Sequence, residues 1–204
     1  MPLLINIQKL KLINELIEVG ATNVAESFST LAGTETTVEI QSLAFADPVD
    51  LPDAMGEDEC YVATIQLTEP PYGVFMLTFS DDTARKVAEL LSGQSVGAAL
   101  TELQESALQE MCNSCTSGFI DEIANVLDTT IDMGTPTLSH DGKQMLRQEL
   151  SHVRDEGIAL YLDSVLSVPE QDTDLELNVY LVPAPGPFVN LLDTIELETG
   201  NAAD

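Results

Sequence analysis

The sequence predicts an α+β fold built from two similar halves, each made of a helix, three strands and a second helix. Three observations support this prediction. A long amphipathic segment opens each half, short apolar runs bounded by turn residues follow it, and residues 36–40 (TTVEI) are echoed by residues 129–133 (TTIDM). Such a duplication indicates pseudo-twofold symmetry, with six mostly antiparallel strands in one sheet and the two long helices packed on it. The 204 residues are long enough to bury a core as a single domain.

The first half covers residues 6–92 and begins with a predicted helix over residues 6–32. Leu12, Ile13, Leu16 and Val19 recur at helical spacing, and Gly33 is a suitable residue to end the helix. The remaining predicted elements are a strand over 36–43, an irregular loop over 48–59, strands over 60–68 and 74–80, and a helix over 81–91 capped by Ser80.

The second half covers residues 98–197 and repeats the series with one change. A helix over 141–155 is predicted in the place of the first half's loop. The other predicted elements are a long helix over 100–128, a strand beginning near Thr129, strands over 158–168 and 175–182, and a closing helix over 187–197 that Pro187 begins. Residues 198–204 are expected to form an acidic tail.

The charge of the chain is extreme, with 35 acidic residues against 7 basic ones and a formal net charge of −28. Seven scattered cations cannot neutralise a run of phosphates, so nucleic-acid binding is excluded. The acidic residues occur in every segment, which favours adaptation to molar salt over attraction of one basic partner. At about 1 M salt the Debye length is about 3 Å, so their mutual repulsion is screened. We infer a halophilic, archaeal protein.

The sequence also limits the compartment of the protein. No signal peptide is recognisable at the start, and no apolar stretch approaches the ~20 residues that a membrane span needs. Three cysteines, an odd number, fit a reducing cytoplasm better than a disulfide framework. We therefore expect a cytoplasmic protein with no membrane partner.

Two patterns resemble metal or redox sites, but neither is favoured. Cys112 and Cys115 form a CxxC pattern, yet they fall on the apolar face inside a predicted helix, so buried small side chains are the favoured interpretation. A cluster of acidic residues lacks the order of an EF-hand loop, so a solvated surface loop is the favoured interpretation. Its members are Asp47, Asp53, Glu57, Asp58 and Glu59. No metal site is predicted.

The most informative residues are Ser106, Glu110 and Asn113 in the second long helix, followed by Pro136. On an α-helix the first three, with Ser117, fall within a sector of about 60°. A set of apolar side chains falls on the opposite side: Leu108, Met111, Cys112, Cys115, Phe119, Ile123 and Val126. Spacing alone favours the solvated face of an amphipathic helix. A carboxylate beside a carboxamide is also a surface suited to chemistry on a partner.

This pattern resembles the S/D-x3-E-x2-N-x22-P signature of the CheC, CheX and FliY phosphatases of chemotaxis, and the chain contains every element of it. The resemblance extends over about residues 10 to 197 and is greatest to CheC. It implies the CheC fold, including the pairing of the strands. It also implies an enzyme that removes phosphate from phosphorylated CheY, the response regulator of the motor.

The residue types fit the implied reaction. Hydrolysis of an aspartyl phosphate needs a water held in line with the scissile bond. Asn113 would orient that water, and Glu110 would pair with the lysine that response regulators keep beside their phosphoryl group. Ser106 would add an edge contact, while Pro136 would fix the exit of the chain from its strand. The protein needs no cofactor of its own in this scheme, because the regulator would supply Mg²⁺.

The duplication predicts a degenerate counterpart of this site in the first half. If Glu18 is placed opposite Glu110, then Asn14 takes the place of Ser106 and Ala21 that of Asn113. The proline position falls at Ala44 or Leu43. Alanine cannot hold a water, so this alignment predicts one working site.

Other functions remain open at this stage. A catalytically weak adaptor with the same fold could bind CheY, the receptor deamidase CheD, or both, since CheC relatives bind CheD. A motor-switch component like FliY is disfavoured because no motor-binding extension is visible. CheX is disfavoured because the length and the duplicated helix–strand pattern resemble CheC.

Overall fold

A computed structural model describes residues 7–54, 60–69, 72–126, 130–150, 158–171 and 173–184. The elements in chain order are α1 (Ile7–Ala32), β1 (Thr37–Ala46), α2 (Leu51–Ala54), β2 (Cys60–Leu67), β3 (Gly73–Ser80), α3 (Asp81–Ser92), α4 (Glu102–Val126), β4 (Thr137–Ser139), α5 (Gly142–Leu150), β5 (Ala159–Val168) and β6 (Thr173–Pro183). The predicted closing helix over 187–197 and the acidic tail over 198–204 lie outside the described residues.

The six strands form one sheet in the order β1-β5-β6-β3-β2-β4, and every paired strand runs antiparallel to its neighbour. The halves interleave, because β1 pairs with β5 of the second half and β4 pairs with β2 of the first. The central pair, β3 and β6, joins the second hairpin strand of each half. The predicted six-stranded antiparallel sheet with two long helices packed on it is confirmed.

Both faces of the sheet are buried, but different helices pack on the two faces. Alternate residues of β3 point to opposite faces, as strand geometry requires. Phe75, Leu77 and Phe79 enter the main core under α1, α3 and α4. Val74 and Met76 enter a smaller core with Leu146 of α5 and Leu51 of α2. The two long helices therefore share one layer, and each leaves its outer face to solvent.

Helix ends follow the predicted signals. Ser80 caps α3, its hydroxyl accepting a hydrogen bond from the backbone N–H of Thr83 at 3.1 Å. Gly93 ends α3 and Gly33 follows α1, both with the positive φ that glycine adopts without strain. No described helix is long and apolar enough to cross a bilayer.

The first strand of the second half begins later than predicted. It was expected near Thr129, which lies outside the described residues, whereas β4 comprises only residues 137–139. Before β4, Met133 forms an isolated bridge with Leu67. The continuous pairing with β2 ends at Thr137 and Thr64, and Pro136, the residue before Thr137, has no N–H to donate to a ladder. Proline is tolerated because β4 is an edge strand.

Smaller differences concern the connections. The first strand extends to Ala46 instead of ending at Leu43, because its pairing with β5 continues past an irregularity between Ile40 and Ser42. The predicted irregular loop after it contains the one-turn helix α2. Helix α5 is described to Leu150, and the rest of the helix predicted to residue 155 lies outside the described residues.

Candidate functional site

The helix that carries the predicted site, α4, begins at a capping box. The hydroxyl of Thr101 accepts a hydrogen bond from the backbone N–H of Gln104, and the Gln104 side-chain oxygen accepts one in return from the Thr101 backbone N–H at 3.0 Å. The Gln104 amide also donates to the carbonyl of Gln94 at 3.2 Å, which ties the helix to the preceding loop. These contacts fix the start of α4 one turn before the site.

The predicted polar face of α4 is present. Ser106 and Glu110 are exposed, and Asn113 and Ser117 are half-buried. All four lie on a single helix, so their relative positions are set by its backbone hydrogen bonds. The face offers a carboxylate and, one turn later, a neutral amide that can both donate and accept hydrogen bonds.

The opposite face of α4 holds the helix in place. The apolar side chains predicted there that are described are buried or, for Ile123, half-buried; they are Leu108, Met111, Cys112, Cys115, Phe119 and Ile123. Next to them α4 crosses α1 so closely that a Cβ on Gly118 would lie 2.8 Å from the backbone nitrogen of Val24. This packing fixes the rotation of α4 and directs the polar face outward.

Pro136 lies in the segment that leads into β4, and α4 packs against this strand. The far end of the segment is anchored by His140, whose ring lies 4.6 Å from the Tyr61 ring and whose Nε2 lies 3.4 Å from Asp81 Oδ1. The hydrogen bond from Arg85 and the proximity of His140 lower the pKa of Asp81. Pro136 thus lies in an edge segment that is anchored at its far end.

The predicted first-half residues lie on one side of α1 by their spacing, but they differ in burial. Asn14 and Glu18 are exposed, and the Asn14 amide donates a hydrogen bond to Glu18 Oε1 at 2.7 Å. Ala21, which the sequence alignment placed opposite Asn113, is only 4% exposed and belongs to the main core. Ala21 therefore cannot be the counterpart of the half-buried Asn113, and that part of the prediction is wrong.

Burial of the two long helices indicates a different alignment of the halves. If Glu15 is placed on Glu110, then the buried residues of α1 fall on buried residues of α4: Ile13, Ile17, Gly20, Ala21 and Val24 on Leu108, Cys112, Cys115, Thr116 and Phe119. If Glu18 is placed on Glu110, Ile13 falls on the exposed Glu105. The counterpart of Glu110 is therefore Glu15, a residue that the sequence prediction missed.

Neither the cysteine pair nor the acidic loop forms a second kind of site in the described part of the chain. Cys112 and Cys115 are buried, and burial raises the pKa of the Cys112 thiol well above its usual value and that of Cys115 to about 12. No group of three potential metal ligands occurs among the described residues. Much of the acidic loop, residues 55–59, is not described.

Comparison with known proteins matches the segment that carries the candidate site. A sequence model described as the CheC-like family matches residues 103–140, a segment that includes Ser106, Glu110, Asn113 and Pro136. A protein of Halobacterium salinarum, provisionally named CheY-P phosphatase CheC1, is 34% identical over 197 residues, covering 96% of this chain and 100% of its own. The chain belongs to the CheC-like family. The haloarchaeal source of this relative agrees with the halophilic composition.

Solved structures share the fold of this CheC-like protein at low sequence identity. Thermotoga maritima FliY superposes with a TM-score of 0.76 at 14% identity, covering 95% of this chain and 96% of its own. The FliM middle domain of H. pylori gives 0.72 at 9% identity, covering 93% and 99%. CheX of Desulfovibrio desulfuricans gives 0.52 at 15% identity, covering 82% and 99%. Since all are under 25% identical, they establish the CheC-like architecture alone.

Proposed function

We propose that this CheC-like protein is a phosphatase that hydrolyses the aspartyl phosphate of CheY, with its working site at Glu110 and Asn113. The observation that carries the proposal is the outward display of the complete Ser106, Glu110 and Asn113 pattern on a helix whose start and rotation are fixed. The family and the name of the haloarchaeal relative support the same substrate.

Asn113 is the residue proposed to act on the reaction. Phosphoryl transfer to water requires little covalent work from the catalyst, and most of the gain comes from holding the water in line with the phosphorus. A carboxamide can do so because it donates and accepts hydrogen bonds without carrying charge. Asn113 is half-buried, so the helix surface around it limits its rotamers, while its face remains accessible to a partner.

Glu110 is proposed to bind and orient the regulator. It is exposed, one turn before Asn113, where its carboxylate would pair with the lysine beside the phosphoryl group of CheY. Ser106 lies one further turn away and would contact the edge of the same partner. We expect any Mg²⁺ that the reaction requires to be held by CheY and to neutralise charge on the phosphoryl oxygens.

The proposal includes the cellular setting. A chemotaxis regulator is a cytoplasmic substrate, so we place the protein in the cytoplasm of a halophilic cell. CheD is a further proposed partner. An adaptor role, in which α4 binds CheY or CheD without turnover, is the alternative that the experiment below distinguishes.

The test is phosphate release from phosphorylated CheY in molar KCl, with wild-type protein and Asn113→Ala. The wild type should accelerate release above the rate of CheY alone, and Asn113→Ala should abolish most of the acceleration. Asp121→Asn, a change at an exposed residue two turns further along α4, is the matched control and should behave as the wild type. Equal rates for all three proteins and for CheY alone would favour the adaptor.

A further inference from the structure

The exposed face of α1 reproduces the position of the α4 site but not its chemistry. With the helices aligned on their burial, Glu15 corresponds to Glu110 and Glu18 corresponds to Asn113. Both glutamates are exposed, as a surface presented to a partner must be. The first half therefore keeps the carboxylate proposed to bind the regulator and has a second carboxylate where the second half has the amide.

The Glu18 carboxylate has a defined position. Asn14, one turn earlier on the same helix, donates a hydrogen bond from Nδ2 to Glu18 Oε1 at 2.7 Å. Neither residue contributes to the main core, and Ala21, which follows them, packs inside it. The side chain of Glu18 can therefore be changed at the surface without opening a cavity.

We infer that the Glu15 and Glu18 face of α1 is a second docking site for the phosphorylated regulator, and that Glu18 is the residue that keeps this site from hydrolysing phosphate. The inference rests on the proposed function of Asn113. Under this inference, the Glu18 side chain is the reason why the α1 site is inactive and the α4 site works.

The physical reason is charge at the point of reaction. A carboxylate at this position faces the negative phosphoryl group and accepts hydrogen bonds but cannot donate one, whereas an amide is neutral and does both. Molar salt screens interactions between exposed charges, but a carboxylate brought into a closed interface beside a phosphoryl group is screened much less. Glu18 would therefore permit an encounter through Glu15 and oppose the arrangement that leads to hydrolysis.

The two sites lie at different ends of the helix pair. Ile13 and Ile17, which flank the Glu15 position, line an apolar cleft with Phe119 and Ile123 from the C-terminal half of α4. Asn113 lies in the N-terminal half of α4. A change at Glu18 thus leaves the α4 site in its native surroundings, and the two sites can be tested separately.

The test introduces Glu18→Asn into Asn113→Ala and measures phosphate release from phosphorylated CheY in molar KCl. If Glu18 silences the α1 site, the double variant should release phosphate at least about tenfold faster than Asn113→Ala, because positioning a water is worth orders of magnitude in rate. Adding Glu15→Ala should return the rate to that of Asn113→Ala. Should Glu18→Asn lower the melting temperature, Glu18→Gln, which keeps the native length, replaces it.

Two controls in the Asn113→Ala background separate the amide from other effects. Glu18→Ala removes the charge without supplying an amide, and Glu26→Asn makes the same chemical change at an exposed residue two turns further along α1. Neither should restore hydrolysis, and restoration by either would overturn the inference. So would a folded Glu18→Asn variant that stays at the Asn113→Ala rate while wild type is active. If wild type itself does not exceed the rate of CheY alone, the proposed function fails, and the inference fails with it.

Discussion

Asn23 of α1 donates a hydrogen bond from Nδ2 to the backbone carbonyl of Gly118 of α4 at 3.2 Å, at a point where the two helices nearly touch. A Cβ on Gly118 would lie 2.8 Å from the backbone nitrogen of Val24, and one on Gly20 would meet the Phe119 ring at 2.5 Å. The two long helices are therefore held in one relative position by glycine on each side. Because the α4 site and the α1 face lie on either side of this crossing, it sets how both are presented.

The crossing gives a first prediction, that Gly118→Ala destabilises the protein. In an exposed helix, alanine is more favourable than glycine by about 1 kcal/mol. Here the new methyl group would collide with backbone, which cannot move aside as a side chain can, and overpacking of this kind costs about 1–3 kcal/mol. Urea unfolding in molar KCl would measure the change.

Gly97→Ala is the control for that prediction, because a Cβ at Gly97 meets nothing within 4 Å. It should leave the free energy of unfolding almost unchanged. If Gly118→Ala were as stable as Gly97→Ala, the two helices would not be in the close contact described.

Most of the fold was predictable because its signals are local. Helix α3 is specified by its Ser80 cap, by Asp81 and Asp82 in its first turn and by Gly93 after its end. The strand order was not predictable from periodicity, since the pairing of β1 with β5 depends on contacts between distant segments. The late start of β4 has the same origin: Pro136 precedes a ladder whose partner strand the local sequence does not reveal.

The candidate site was likewise predictable where its signals are local and not where it depends on contacts between distant segments. Ser106, Glu110 and Asn113 were placed correctly on one face because their spacing fixes their relative angles on any helix. The alignment of the two halves was wrong because it matched Glu18 to Glu110 by residue type. Val19, assigned to the apolar face of α1, is 43% exposed, and the true buried face is rotated toward Ala21 and Val24. Only packing against α4 decides that rotation.

A second prediction concerns the buried thiols. In the folded protein at pH 8, Cys112 and Cys115 should resist alkylation by iodoacetamide, while the half-buried Cys60 reacts. With a pKa of about 12, only about one Cys115 thiol in 10⁴ is ionised at this pH, and the thiolate is the reactive species. Peptide mass spectrometry after native and denatured labelling would locate the modified residues.

The same burial fixes the sign of a pH effect. In the unfolded chain these thiols ionise near pH 9, whereas in the folded protein Cys115 stays neutral until about pH 12. The folded state therefore binds more protons above pH 9, and stability should fall as the pH rises through this range. Rapid native labelling of both cysteines would contradict the buried, inert assignment.

A third prediction concerns salt. With a net charge of −28, the melting temperature should fall as KCl is lowered from about 1 M to about 0.1 M. Over this range the Debye length grows from about 3 Å to about 10 Å, and the surface carboxylates then repel one another. Circular dichroism melts at several KCl concentrations would measure the effect. A melting temperature independent of KCl would instead favour a basic partner as the explanation of the charge.

A fourth prediction assigns binding to Glu110. Glu110→Ala should weaken binding to phosphorylated CheY by about 1 kcal/mol, since a partly exposed ion pair is worth little more. Because salt screens the pair, the loss should shrink as KCl rises. Titration calorimetry at two KCl concentrations would measure both effects, with Asp121→Ala on the same helix as the control. An unchanged dissociation constant for Glu110→Ala at low salt would remove the proposed lysine contact.

The fifth prediction separates Asn113 from Glu110 by the step that each serves. Asn113 is proposed to act in the transition state, so Asn113→Ala should lower kcat and largely spare binding to the phosphorylated regulator.

Asn113→Asp keeps nearly the same shape but brings a negative charge toward the phosphoryl group. It should be at least as inactive as Asn113→Ala in molar KCl. Single-turnover phosphate release at saturating protein would measure the chemical step apart from binding. Near-wild-type hydrolysis by Asn113→Asp would rule out orientation of the water by a neutral amide, and it would equally remove the reason for which Glu18 is proposed to silence the face of α1.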